Sequence, residues 1–172
     1  MKIRIRKRYI ITGIVFFSFI ILSFLWYERS KIDIDTLNKN LLIKDIKFGM
    51  SEEEVIQQWG PGEYINGMGG HGRAYNEKKV RISFSNDADN DLNGKVGSLE
   101  FSNPDYSIFS IRIGMDRLDA INHIKSNTKF KTVKYSEDIF VCGEFSIALR
   151  GKDLIEEIQI WFKDKDMTDR NY

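Results

Sequence analysis

The 172-residue chain has one cysteine, Cys142, so neither an intramolecular disulfide nor a multi-cysteine metal site is available and the fold must hold by packing alone. Cys142 ends the apolar run Ile139-Phe140-Val141-Cys142, where a thiol acts as a small buried hydrophobe rather than a nucleophile. Acids are missing from the start of the chain. None precedes Glu28, whereas Lys2, Arg4, Arg6, Lys7 and Arg8 place five of the 26 basic residues in the first eight positions. From Glu28 onward 21 basic groups face 25 acidic ones, a balance of −4. A nucleic-acid binder concentrates Lys and Arg on its folded part to neutralise phosphates, so that class is excluded. The two histidines, His71 and His123, lack ligand-type spacing such as H-x-x-x-H. There is no Gly-x-Ser-x-Gly elbow, and no catalytic carboxylate pair stands out among the scattered acids, so a non-enzymatic role is expected.

Charge is also absent from residues 9–27, which are rich in Ile, Phe, Leu and Val. At about 1.5 Å per residue such a helix spans roughly 28 Å of hydrocarbon. The basic segment 1–8 before it predicts a cytoplasmic N-terminus, and Trp26 and Tyr27 fall where an interfacial aromatic belt is expected. No Ala-x-Ala pattern follows and no nearby cysteine could carry lipid, so an uncleaved, single-pass signal anchor is expected, with the remainder outside the cytoplasm.

An internal repeat follows a charged connector, 28–45, that has a helical portion expected around Leu37, Leu41 and Leu42. Ile46-Lys47-Phe48-Gly49-Met50-Ser51 finds a partner 65 positions on in Ile111-Arg112-Ile113-Gly114-Met115-Asp116. Ser51 and Asp116 are N-cap residues with an acid three positions later, Glu54 and Asp119, so each glycine turn should feed a capped helix. Val55, Ile56 and Trp59 form one apolar stripe; Leu118, Ala120, Ile121 and Ile124 form the other. Alternating segments come next. Val80–Phe84 answers Phe145–Leu149 at the same shift, and Leu99–Phe101 answers Ile158–Ile160. The predicted class is α+β: a transmembrane helix, then repeat 1 over 46–104 and repeat 2 over 108–163. Each repeat is a helix with two or three antiparallel strands, the two pack as one domain, and 164–172 forms a polar tail.

The phrase Ile-x-x-Gly-Met-Ser/Asp, a short helix and Trp59-Gly60-Pro61-Gly62 over residues 46–162 resembles the tandem modules of the beta-lactamase inhibitory protein and of SmpA/OmlA-type outer-membrane assembly lipoproteins. The resemblance implies helix-on-sheet modules in two copies, used outside the cytoplasm to bind other proteins. The chain lacks the lipid-bearing cysteine of the lipoproteins and the disulfides of the inhibitor.

Asp89-Asn90-Asp91-Leu92-Asn93-Gly94, with Glu100 six positions on, satisfies the calcium-loop pattern D-x-[DN]-x-[DN]-G-x5-E. Oxygen ligands at alternate positions can converge on a hard cation, so Asp89, Asp91, Asn93 and Glu100 are the candidate calcium ligands. The rival reading is a polar hairpin turning at Asn93-Gly94. Gly67-Met68-Gly69-Gly70-His71-Gly72 matches G-x-G-x-x-G but lacks the strand–helix context of a phosphate cradle. Its loop could present Met68, His71, Arg73 and Tyr75 to a partner, as could Trp161 if it faces outward; Trp59 is expected in the core. The leading expectation is a membrane-anchored module that binds another envelope protein. The alternatives are a calcium-responsive domain and an extracytoplasmic enzyme or small-ligand receptor with the glycine loop as a lid.

Overall fold

Serine and aspartate caps set where the helices begin. The computed structural model describes residues 17–18, 33–67, 70–86, 92–133 and 136–162. Asp33 accepts from Thr36 N at 2.6 Å to open α1, Ile34–Asn40. Ser51 Oγ accepts from Glu54 N while Ser51 N donates to Glu54 Oε2, a capping box that opens α2, Glu52–Trp59. The left-handed Gly60, φ 83°, closes α2 by donating to Ile56 O. Asp116 accepts from both Leu118 N and Asp119 N to open α3, Arg117–Asn127.

The strands form two antiparallel sheets. A small one joins β1 (Leu41–Leu42), β6 (Ser107–Ile108) and β7 (Ile111–Arg112) in the order β1-β6-β7. The large one contains β2 (Glu63–Gly67), β3 (Gly70–Tyr75), β4 (Val80–Ser85), β5 (Val96–Phe101), β8 (Lys131–Val133), β9 (Ser136–Cys142), β10 (Phe145–Arg150) and β11 (Glu157–Phe162). Its order is β2-β3-β4-β5-β11-β10-β9-β8, so two four-strand meanders meet where β5 pairs with β11.

Cross-strand register sorts the residues of this sheet onto two faces. On one face Val80, Phe101, Ile158 and Leu149 form a row, and Ile82, Leu99, Ile160, Ile147 and Phe140 form the next. All are buried in one core cluster with Leu37 of α1, Val55 of α2, and Ala120, Ile121 and Ile124 of α3. The helices therefore cover this face. The opposite rows are Arg81, Glu100, Gln159, Ala148 and Ile139, and Ser83, Ser98, Trp161, Ser146 and Val141. None of these residues belongs to the core cluster.

Several sequence expectations are corrected. The domain is α+β, but its strands run in one continuous eight-stranded sheet with four strands to each half, not as two repeats each with its own two- or three-stranded sheet. Edge-to-edge pairing of β5 with β11 satisfies backbone groups that separate sheets would leave exposed. Leu118 is 67% exposed, because at 100° per residue it lies roughly 110° around α3 from the Ala120–Ile121–Ile124 stripe.

No helix among the described residues is long and apolar enough to cross a membrane. The described helices α1–α3 have 7, 8 and 11 residues, which at about 1.5 Å each fall far short of a hydrocarbon core of roughly 30 Å. The expected anchor, 9–27, lies outside the described residues except for Phe17 and Ser18. The single-pass arrangement, with its bilayer contact, cytoplasmic N-terminus and outward domain, is thus not supported.

Candidate functional site

The residues that could meet a partner fall on opposite faces of the sheet. On the face that is helix-free among the described residues, Trp161 of β11 stands directly opposite Ser98 of β5 and Ser146 of β10. The row runs on through Ser83 at one end and Val141 at the other. A large aromatic among serines, with Ile139 and Val141 two strands away across β10, makes an apolar step on a sheet face of small residues. Ser146 is 2% exposed although no described helix covers it, and its hydroxyl makes no hydrogen bond among the described residues.

A band of paired charge borders this patch. Arg81 donates to Glu100 at 3.2 Å, and Arg150 lies 3.3 Å from Glu157 while donating to Gln159 at 2.9 Å. Arg81, Glu100 and Glu157 help line a polar hollow of about 270 Å³. Burial raises the Glu157 carboxyl above its ordinary value, the charge of Glu100 adds to this, and Arg150 and Arg81 oppose it.

On the covered face His71, Arg73 and Tyr75 are tied to α2. Glu52, the first residue of α2, accepts from Arg73 Nε through Oε1 at 2.7 Å, and its Oε2 lies 3.1 Å from His71 Nε2. Arg73 also donates to Pro61 O, and Tyr75 donates to Gly60 O. His71 stacks between Tyr64 and Phe84, and Trp59 meets Tyr75 edge-on at 5.2 Å. Burial alone would raise Glu52; hydrogen bonds from Arg73 and His71 outweigh it and hold the carboxyl below its ordinary value. This constellation fastens α2 to β3, and each of its polar side chains has a partner. His123 likewise has its Nε2 2.8 Å from Phe109 O, which only accepts, so Nε2 carries the proton.

The candidate protein-binding residues are therefore not brought together: His71, Arg73 and Tyr75 lie on the helix side and Trp161 on the other, while Met68 lies outside the described residues. Of the candidate calcium ligands, Asp89 and Asp91 also lie outside them. Asn93 is exposed, and the left-handed Gly94 beside it donates to Ser85 O. Glu100 sits four strand steps beyond Val96, about 13 Å along β5, and is paired with Arg81. Asn93 and Glu100 thus do not converge, and no cluster of three or more metal-ligating acids, histidines or cysteines occurs among the described residues. Sequence reasoning missed Ser146 and Glu157. Their roles arise from cross-strand neighbours, and the only sequence signal was the alternation that puts both on the face of Trp161.

No family model matches the chain. No curated protein matches it either. A solved structure is similar to it: the crystal structure of an extracellular protein containing an SCP domain from Bacillus anthracis str. Ames, at 12% identity and a TM-score of 0.49. That likeness covers 71% of this chain and 46% of the other, so the chain spans just under half the length of that protein. The resemblance to the inhibitory-protein and SmpA/OmlA modules is not supported, since no family model matches the chain. The role that rested on it and on the membrane segment, an anchored module for an envelope protein, falls with it.

Proposed function

We propose that this domain is a non-catalytic recognition module that receives a polypeptide partner on the helix-free face of its large sheet, with Trp161 as the anchor. The observation that carries the reading is the placement of Trp161 between Ser98 and Ser146 on the face opposite the core. An aromatic step on the same face as Ile139 and Val141, bordered by Arg81, Glu100, Arg150 and Glu157, has the composition of an interface centre with a polar rim. The non-catalytic part is supported by the occupied state of the reactive groups: His71 is held by Glu52, and Glu100 and Glu157 each face an arginine. The Arg–carboxylate pairs set register and orientation more than affinity.

Site-specific photo-crosslinking tests this in the cell of origin. A benzophenone side chain at Val141 or Ser83 is expected to trap a discrete adduct, the same group at the exposed Asn122 of α3 is expected to trap none, and Trp161→Ala is expected to abolish the adduct. Adducts that form equally at Asn122, or that survive Trp161→Ala, would overturn the assignment.

A further inference from the structure

The two edges of the large sheet are unlike. At one end β8 has three residues, the exposed Lys131 at its start and the exposed Lys129 two residues before it, and an irregular register between Thr132 and Val133. Short length, lysine and irregularity are the features that keep an edge from pairing with another chain. At the other end β2 keeps regular antiparallel register with β3 over all five of its residues, Glu63 to Gly67, and contains neither lysine nor proline. Among the described residues no strand pairs with its outer edge, which leaves a row of backbone donors and acceptors as a template for one more strand.

We propose that this edge is a self-association surface on which a second copy of the chain lays its own β2 antiparallel, about a twofold axis at Ile65. The sequence Glu63-Tyr64-Ile65-Asn66-Gly67 is complementary to itself in that register. Ile65 meets Ile65 of the other copy, Tyr64 meets Asn66, and Glu63 meets Gly67, so no like charges face each other. A shift by one residue would reverse every side chain between the faces. Tyr64 is 58% exposed, yet its ring is already held from the β3 side by Arg73, 5.8 Å from the ring centre, and by His71, stacked at 6.1 Å. A side chain ordered beforehand loses little entropy when a strand docks beside it.

The geometry has a consequence for Trp161. A twofold axis perpendicular to an antiparallel pair keeps like faces together, so the joined sheet turns both helix-free faces to one side. Two Trp161 patches would then act on the same partner surface, and binding gains from effective concentration without any new contact.

Disulfide trapping and charge exchange on the full chain test the proposal. Ile65→Cys is expected to give a disulfide-linked dimer under mild oxidation, while Glu63→Cys, which faces Gly67, is expected to give no crosslink; the native Cys142 is buried and should not contribute. Ile65→Lys and Ile65→Glu are each expected to be monomers by light scattering, and an equimolar mixture is expected to form a heterodimer. That rescue also excludes misfolding, because unfolded variants would not restore each other. A monomeric wild type with no Ile65→Cys crosslink would overturn the proposal, as would a dimer unaffected by Ile65→Lys.

Discussion

Arg117 of α3 and Asp138 of β9 form an ion pair that repeats, 65 residues on and with the charges exchanged, the pair of Glu52 on α2 and Arg73 on β3. In each case the first residue of a helix is tied to the strand next to the outermost one in its half of the sheet. The exchange of sign has a physical effect: docking α3 over β3 would set Arg117 against Arg73, and docking α2 over β9 would set Glu52 against Asp138. Both wrong arrangements are repulsive. Arg117→Glu alone should therefore destabilise the domain, and Arg117→Glu with Asp138→Arg should recover most of the loss. A double-mutant cycle by urea denaturation should give a coupling of about 1 kcal/mol, modest because these side chains remain partly in water. Additive single effects would show that the pair contributes nothing.

Glu52 makes stability depend on pH. Its folded carboxyl titrates below the ordinary value, despite burial, because Arg73 and His71 bond to the charged form. The contribution is then fully present above the unfolded-state value and is lost as pH falls through the lowered folded one. Glu52→Gln should lower stability by about 1–2 kcal/mol at neutral pH, with the gap to wild type closing under acid conditions. Thermal melts across pH 2–7 check this, and a gap independent of pH would contradict it.

Gly72 sits where β3 and β4 approach closely. A Cβ there would lie 2.4 Å from the carbonyl oxygen of Ile82, a backbone atom that cannot swing aside. Gly72→Ala is expected to cost about 2–3 kcal/mol by forcing the two strands apart, read as a lower urea midpoint. An alanine variant as stable as wild type would show that the strands separate freely.

The turn between β6 and β7 holds Phe109 and Ser110, neither of them glycine, at φ 49° and 66°. Donation from Phe109 N to Asn40 O and the bond between His123 Nε2 and Phe109 O keep the turn in place. Ser110→Gly should relieve backbone strain and raise stability by about 0.5–1 kcal/mol, seen as a melting temperature a few degrees higher. A lower melting temperature would mean that the entropy glycine adds to the unfolded chain outweighs the relief.

The parts of this fold that were legible in the sequence are local. Ser51 and Asp116 could be recognised as caps because the hydrogen bonds they make lie within three residues of chain. Alternation in Val80–Phe84 marked a strand with one buried side, because period two is a property of the strand itself. The joining of two meanders at β5 and β11 was not legible, since it rests on Leu99 meeting Ile160 and Phe101 meeting Ile158 across about sixty residues. The exposure of Leu118 was legible but misread, since its helical spacing already sets it roughly 110° from the Ala120–Ile121–Ile124 stripe. At the candidate site, Trp161 could be singled out as an aromatic, but its face and its neighbours are set by register, with Ser146 on the preceding strand and Ser98 on a strand far back in the sequence. The calcium pattern shows the opposite failure. Its spacing assumes a loop that curls back, whereas residues 96–101 run out as a strand and carry Glu100 away from Asn93.

Glu157 provides a pH effect of opposite sign to that of Glu52. Burial, reinforced by the charge of Glu100, raises its carboxyl in the folded chain, so ionisation opposes folding despite Arg150 and Arg81. The penalty is present in full above the raised folded value and disappears as pH falls below the unfolded one, where both states hold the proton. Glu157→Gln keeps the size of the side chain and a hydrogen-bond acceptor for Arg150, which lies 3.3 Å from the carboxylate. It should therefore raise the melting temperature at pH 7–8 and leave it unchanged near pH 3. If the same partner binds on this face, the variant should also reduce the dependence of binding on pH without removing it, because Trp161 remains. A variant less stable than wild type at neutral pH would instead make the Arg150–Glu157 pair the stronger influence on the carboxylate.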